Sequence, residues 1–246
     1  MTVLNVFRAL GPIDMRNIRR DSLLRWMAMI PFIFAFLFRY IIPWMRDGIL
    51  QRTGFDFAPY YILLISYGFV IGVPTIFGVV IGFLLLDEKD DQTLTALQVT
   101  PLTLGNYMAY RVIVPVVMSI VLILITYPLA GMVPMPTGDI LIVALLAAPM
   151  APIFALFLAS VAQNKVQGFA IMKGSGSFLI LPLAAYFFDG AWTYLLGIIP
   201  TFWPVKAFWM LEANEPGVWT IFIAGMVVQA IILAGLMFRF NKIMHR

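Results

Sequence analysis

Cysteine is absent from this 246-residue chain, and histidine occurs once, as His245. Without thiols there is no disulfide framework, no thiolate metal site and no cysteine nucleophile. With the single imidazole next to the last residue, neither a His-based zinc site nor a serine–histidine pair can form within the apolar body of the chain. Charge is also scarce: 11% of residues are charged and 62% are hydrophobic, whereas about a quarter of an average soluble domain is charged. A Gly-x-x-x-x-Gly-Lys-Ser/Thr phosphate loop is missing. Lys173-Gly174-Ser175-Gly176-Ser177 has its composition but not its order, so ATP cannot be held here in that manner. Gly138-Asp139 lacks the Gly-x-Gly-Asp pattern of an aspartyl intramembrane protease because Pro136 stands in it. The net charge of +4 is spread among short connections and forms no basic face for nucleic acid. The first 25 residues hold five arginines and two acids. They lack the apolar core and cleavage site of a signal peptide, so residue 1 is expected to stay on the chain.

What the chain does contain is long apolar runs. Residues 58–86 carry no charge over 29 positions, and Val112 to Gly138 none over 27; about 20 helical residues cross about 30 Å of hydrocarbon. The expected fold is an all-α integral membrane protein, a single membrane domain over 1–246 with six transmembrane helices. Span one is read from Leu23 to about Pro43, span two to Leu86, and span three from the Thr103 cap to Tyr127-Pro128. Span four runs from Asp139 to about Ala162, span five from Val166 to Phe188, and span six from Pro216 to Phe238. Pro74 is expected to kink span two and Pro149/Pro152 to interrupt span four. Gly68, Gly72, Gly78 and Gly82 permit close helix approach, as do the small residues of span five. Residues 1–22 place Val3, Leu4, Phe7 and Leu10 at helical spacing beside Arg8, Arg16, Arg19 and Arg20. That pattern predicts an interfacial helix bent at Gly11-Pro12, with Asp21 or Ser22 capping span one. Arg46 to Phe57 reads as an external loop. Residues 189–215 read as a re-entrant or interfacial broken hairpin, too short and too interrupted to cross, with Trp192, Tyr194, Trp203 and Trp209 suited to the headgroup boundary. Placing both termini inside puts twelve Lys/Arg on the cytoplasmic side and four outside, the arrangement that the positive-inside rule prefers.

The one sizeable polar segment between two long spans is Asp87 to Leu102. Within it, Leu94, Leu97 and Val99 punctuate Thr and Gln at near-helical spacing, and Thr100-Pro101 then turns the chain away from helix. The run Glu88-Lys89-Asp90-Asp91-Gln92-Thr93-Leu94-Thr95-Ala96-Leu97-Gln98-Val99-Thr100-Pro101-Leu102-Thr103, with Arg111 as the basic residue opening the next span, resembles the first cytoplasmic loop of ABC-2 type exporter permeases. In that family the loop reads acid-basic-acid, Gly-Thr-Leu-Glu, apolar residues, then Thr/Ser-Pro-Leu-Ser. Gln92 replaces the usual glycine, Thr95 the usual glutamate, and Leu104-Gly105 stand where charges are common.

The resemblance implies that residues 87–105 form a coupling loop whose short helix sits in a cleft of a separate ATPase subunit. Glu88, Asp91, Gln92, Thr93, Leu94, Leu97, Thr100, Pro101 and Leu102 would make that contact. It also implies two ATPase copies that carry the ATP and Mg, no cofactor on this chain, and a second permease subunit, identical or homologous. The setting would be a prokaryotic inner membrane. The resemblance implies export, and the aromatic, weakly charged spans favour an amphipathic, drug-like or lipid-like molecule as the substrate. Arg39, inside the apolar length of span one, and Gly174, Ser175 and Ser177 of span five are candidates for a transport path or subunit interface; for Arg39, snorkelling to outer headgroups is the simpler alternative. A secondary transporter or channel stays open as another class, although no internal repeat is visible, and an intramembrane enzyme is the least favoured.

Overall fold

The computed structural model of the chain describes residues 3–90, 104–188 and 190–244. Among these residues every regular element is helical, and six helices are long and apolar enough to cross a membrane. The chain opens with α1 (Val3–Arg20), which continues through Gly11-Pro12 without the expected break. Asp21 is the cap of the next helix, accepting hydrogen bonds from the backbone of Leu23 at 2.9 Å and Leu24 at 3.2 Å. An even number of crossings brings both termini to one end of the bundle, here called the terminal end.

The first two spans share one irregularity with one cause. The first consists of α2 (Ser22–Phe36), a π-helical turn (Leu37–Ile41) and α3 (Ile42–Thr53). The second has a 3-10 turn (Ala58–Tyr60), α4 (Tyr61–Ile65), a π-helical turn (Ser66–Ile71) and α5 (Gly72–Asp90). Each π turn lies just ahead of a proline, Pro43 or Pro74, which lacks an N–H and whose ring crowds the carbonyl four residues earlier. Widening the preceding turn absorbs that conflict, so the interruption expected at Pro74 falls over Ser66–Ile71. Span one also runs about ten residues beyond its expected end, and the connection to span two shrinks to the few residues after Thr53. Gly54, at φ 73°, ends α3 in the left-handed region. Arg46 then reaches across the turn with Nε at 2.7 Å and Nη2 at 2.6 Å from the two Asp56 oxygens.

The remaining elements are α6 (Leu104–Ala130), α7 (Thr137–Ala147), α8 (Met150–Val161), α9 (Lys165–Leu179), a 3-10 turn (Leu181–Phe187), another (Ala191–Ile198), α10 (Phe202–Glu212) and α11 (Val218–Met244). The break between α7 and α8 falls at Ala148-Pro149, where the prolines predicted it. Spans two and four form the centre, with 83% and 72% of their apolar stretches buried, whereas the other four reach at most 33%. Helices α5 and α8 make the most extensive pair. A Cβ on Gly78 would stand 2.6 Å from the Ala151 carbonyl oxygen, and one on Gly82 3.2 Å from the Leu158 Cβ. Ala151, Ala155 and Ala159, all fully buried, complete the small-residue seam. In lipid, where helices gain little by hiding apolar surface from each other, this close approach supplies the association energy.

Residues 190–215 correct one expectation. Trp192 and Tyr194 are exposed as a boundary residue should be, but Trp209 is buried. Its indole N–H donates to Ser66 Oγ at 2.9 Å, inside the second π turn. An indole buries at little cost once its single donor is satisfied, and α10 therefore packs into the bundle beside α7 and α11. Trp203 is half-buried and donates to the Gly197 carbonyl at 2.8 Å, holding the 3-10 turn against α10.

Two outcomes follow. Gly78→Ala should lower thermal stability by ~1–3 kcal/mol through overpacking, whereas Gly174→Ala, whose Cβ meets nothing within 4 Å, should not; melting of both in one detergent checks this, and equal effects would refute the seam. Arg46 hydrogen bonds, with one from the Ala58 backbone, lower the Asp56 carboxyl to about 2. A depressed carboxyl contributes stability above its unfolded value of about 4 and loses it as pH falls toward 2. Pepsin cleavage near Phe55 should therefore accelerate over that window in the native chain, relative to an Asp56→Asn variant that has no such carboxyl to titrate.

Candidate functional site

The expected coupling segment is bracketed by charged residues whose positions the structure does describe. At the terminal end α5 delivers Asp87, Glu88 and Lys89, and α6 returns Tyr107, Tyr110 and Arg111, one to two turns from its start. The spacing of three and four residues puts Tyr107 on the same helical face as Tyr110 and Arg111. That face is turned inward: Arg111 is 1% exposed, Tyr107 1% and Tyr110 2%.

A buried guanidinium costs several kcal/mol unless its donors are matched, and here they are. Arg111 Nη1 lies 2.7 Å from Asp14 Oδ2 and Nη2 3.3 Å from Asp14 Oδ1, a two-pronged pair with a residue of α1. Nη2 also pairs with Glu88 of α5. Nε donates to the Tyr107 hydroxyl at 3.3 Å, and that hydroxyl donates to Glu88. Tyr110 donates to Asp14 at 2.8 Å. Both tyrosine rings flank the cation, their centroids each 5.3 Å from its central carbon, and Phe7 of α1 meets the Tyr110 ring edge-on at 5.0 Å. Two carboxylates thus share one guanidinium and two phenolic donors. The effect is to fasten α1 to α5 and α6 at the roots of the 91–103 segment.

A second knot lies beside the first. Lys165, opening α9, sits 2.7 Å from Asp21 and 2.8 Å from Asp87. Burial pushes the Asp21 carboxyl up, but the Lys165 hydrogen bond and the cap bonds from Leu24 and Leu23 outweigh it and leave it below the usual range. Lys89 donates to the Ala162 carbonyl at 3.3 Å. Consecutive residues Asp87 and Glu88 therefore face different helices, so the end of α5 is tied to α1, α6 and α9 together. The two knots together form a collar that joins four helices at the roots of the 91–103 segment.

Of the residues expected to touch an ATPase, Glu88 turns its carboxylate to Arg111 and Tyr107 within this chain. Asp91, Gln92, Thr93, Leu94, Leu97, Thr100, Pro101 and Leu102 lie outside the described residues. Arg39 is at the opposite end, exposed, donating to the Leu129 carbonyl at 3.2 Å with its guanidinium 5.9 Å from the Tyr40 ring. On α9, a Cβ on Gly174 would meet nothing, and Ser175 donates to its own helix at the Ile171 carbonyl. Ser175 also borders an apolar cavity of about 270 Å³ walled by Thr75, Phe154, Phe157, Phe178 and Leu236, and Ser177 a neighbouring one. The structure does not bring Arg39 and the α9 residues into contact. Sequence reasoning missed Asp14, Tyr107 and Tyr110. The spacing Tyr107-x-x-Tyr110-Arg111 on one face of α6 is a signal that could have pointed to this site, but nothing local marks Asp14, whose partner Arg111 is 97 positions away.

Comparison with known proteins covers this collar and both ends of the bundle. A family model described as fluoroquinolones export permease protein Rv2686c-like matches residues 14–237. Two relatives from Mycobacterium tuberculosis are each 29% identical over 239 residues, 96% of this chain and 94% of theirs. They are fluoroquinolones export permease protein MT2760 of strain CDC 1551 / Oshkosh and fluoroquinolones export permease protein Rv2686c of strain ATCC 25618 / H37Rv. From Asp14 through the last span, then, the chain belongs to the Rv2686c-like family of export permeases, which are of the ABC-2 type.

Proposed function

We propose that the chain is the membrane-spanning subunit of an ATP-driven exporter that moves an amphipathic, aromatic, drug-like compound out of a prokaryotic cytoplasm. The observation that carries the reading is the buried collar of Asp14, Glu88 and Arg111, with Tyr107 and Tyr110, at the roots of a loop that resembles a coupling loop. A loop that merely joined two spans would need no such anchorage, whereas one that receives a mechanical stroke does. The stroke comes from separate ATPase subunits, two copies for two permease subunits, with both termini, the collar and the 91–103 segment on the cytoplasmic side. That sidedness rests on the twelve-to-four distribution of Lys/Arg. The substrate class rests on the relatives' names, which specify fluoroquinolones, and on the aromatic, weakly charged spans. In this scheme Leu94 and Leu97 enter the ATPase cleft, Asp91 makes a polar contact, and Glu88 positions the loop through Arg111.

Co-purification of the chain to find an ATPase partner, then reconstitution of the pair and transport of a fluoroquinolone panel, tests the assignment; transport by this chain alone would overturn it. Leu94→Asp with Leu97→Asp should abolish ATPase association and coupled transport together while the spans still insert, because charges would enter an apolar contact. Retention of full coupling in that double variant would leave the loop an ordinary connection. Arg111→Gln leaves Asp14 and Glu88 buried without their cation, which should cost ~3–5 kcal/mol of stability. Arg111→Lys keeps the charge but loses the two-pronged geometry. It should fold, bind the ATPase, and transport less per ATP hydrolysed; unchanged stoichiometry in the lysine variant would remove the collar from the coupling path.

A further inference from the structure

At the end of the bundle opposite the collar there is a cavity of about 420 Å³ between the start of span two, the two 3-10 turns and α10. Its walls carry charges of both signs, Lys206 against Glu212 and Glu215, and the rings of Tyr186, Tyr194 and Trp209. Among the described residues no ion pair or side-chain hydrogen bond joins Lys206 to either glutamate or to any other group. Lys206 is half-buried and Glu212 and Glu215 are exposed, so all three charges remain available to a molecule entering the cavity. The rings are set at steep angles, Tyr186 to Trp209 at 68° with centroids 5.2 Å apart and Tyr194 to Phe202 at 69° and 5.8 Å. They form a fixed aromatic frame around the opening.

Opposed charges on the wall of one cavity that do not satisfy each other are suited to a ligand that brings both signs. The geometry points to this cavity as a binding site for a zwitterion with an apolar or aromatic body. Its acid meets the Lys206 ammonium, its amine meets Glu212 and Glu215, and its ring plane lies against Tyr186, Tyr194 or Trp209. Two sources supply such a molecule at the outer surface: an exported amino-acid-like drug on its way out, and a zwitterionic phospholipid headgroup. As an exit site for the drug, the inference rests on the exporter reading and deepens it. Fluoroquinolones bearing a carboxylate and a basic amine have the required chemistry, and single-charge derivatives of the same ring system do not.

The test is equilibrium dialysis of the full chain in nanodiscs made only of phosphatidylglycerol. The ligands are a fluoroquinolone with free acid and amine, its methyl ester, and its N-acetyl derivative. The zwitterion should bind wild type about tenfold or more tightly than either derivative, the range expected when one charge-assisted contact is lost. Lys206→Met should erase the preference over the ester, and Glu212→Gln with Glu215→Gln the preference over the N-acetyl compound, while Lys206→Arg restores the first. Adding phosphatidylethanolamine to the discs should weaken drug binding in wild type but not in Lys206→Met if the headgroup is also a ligand; no such competition assigns the site to the drug alone. Unchanged zwitterion binding in both Lys206→Met and the double glutamine variant overturns the proposal. If those variants bind as wild type yet the reconstituted complex still exports the drug with ATP, the exit site falls and the exporter reading stands. If wild type neither exports nor prefers the zwitterion but its cavity still distinguishes phosphatidylethanolamine, the exporter's substrate class falls and the zwitterion site remains.

Discussion

A guanidinium that is 1% exposed at the edge of a membrane bundle has few ways to exist, and Arg111 uses nearly all of them. It has two carboxylates from other helices, a phenolic oxygen on Nε, and a tyrosine ring on either side. Each partner is fixed in turn. Tyr107 cannot leave without taking one of the two partners of Glu88, and Tyr110 cannot leave without weakening the seat of Asp14. This pairing helps to seat α1, together with the packing of Leu10 and Ile18 on the core and the Asp21 cap that leads into span one. The same ions hold Glu88 of α5 against Arg111 of α6, and so fix the separation of the two helices at the roots of the 91–103 segment. Charge burial here is weak evidence for stability, because a well-packed apolar replacement often does as well. It is stronger evidence for a specified geometry.

Away from that end the bundle is held by shape. Spans two and four meet along Gly78, Gly82, Ala151 and Ala155, so close that a methyl group does not fit at Gly78. The other spans lie around this pair with large apolar faces outward, Trp26, Trp44, Ile223 and Ile231 among them. In lipid such outward apolar faces carry no desolvation cost. The open glycines of α9, Gly174 and Gly176, belong to this outer layer. A Cβ added at either would meet nothing of this chain within 4 Å, unlike the closely packed glycines of span two.

Much of this was legible from residue order, and the limits have identifiable causes. Spans, breaks and ends follow from apolar length, proline and glycine, which act within a turn or two of themselves; the Ala148-Pro149 break and the seam glycines were readable for that reason. Proline also misled by one turn, because the strain of Pro74 is relieved upstream, over Ser66–Ile71, where no residue announces it. Trp209 was misread as a boundary residue because its satisfying partner, Ser66, is 143 positions away. Arg111 is separated from Asp14 by 97 residues and from Glu88 by 23, so the sequence showed a basic residue opening a span without showing that its charge is spent inside the protein. Local chemistry was readable, and pairings across the fold were not.

The two ends are joined by span two. From Glu88 in the collar, α5 runs unbroken back to Gly72, clamped along its length to α8, and a helix so held moves as a unit. It then meets the π-helical turn of Ser66–Ile71, where Ser66 accepts the Trp209 indole N–H. Trp209 forms part of the polar cavity wall, and three residues before it on α10 stands Lys206. A π turn has one residue more per hydrogen-bonded ring than its neighbours, and it can tighten to α-helix or pass its bulge along without breaking the span. Glu88 is thus linked, through a long helix and then a π-helical turn, to the helix that carries the charges of the cavity at the opposite end. Contiguity of this kind is not in itself coupling, but it requires only one element on the path to have two arrangements, and the π turn is the element whose hydrogen bonding allows a second.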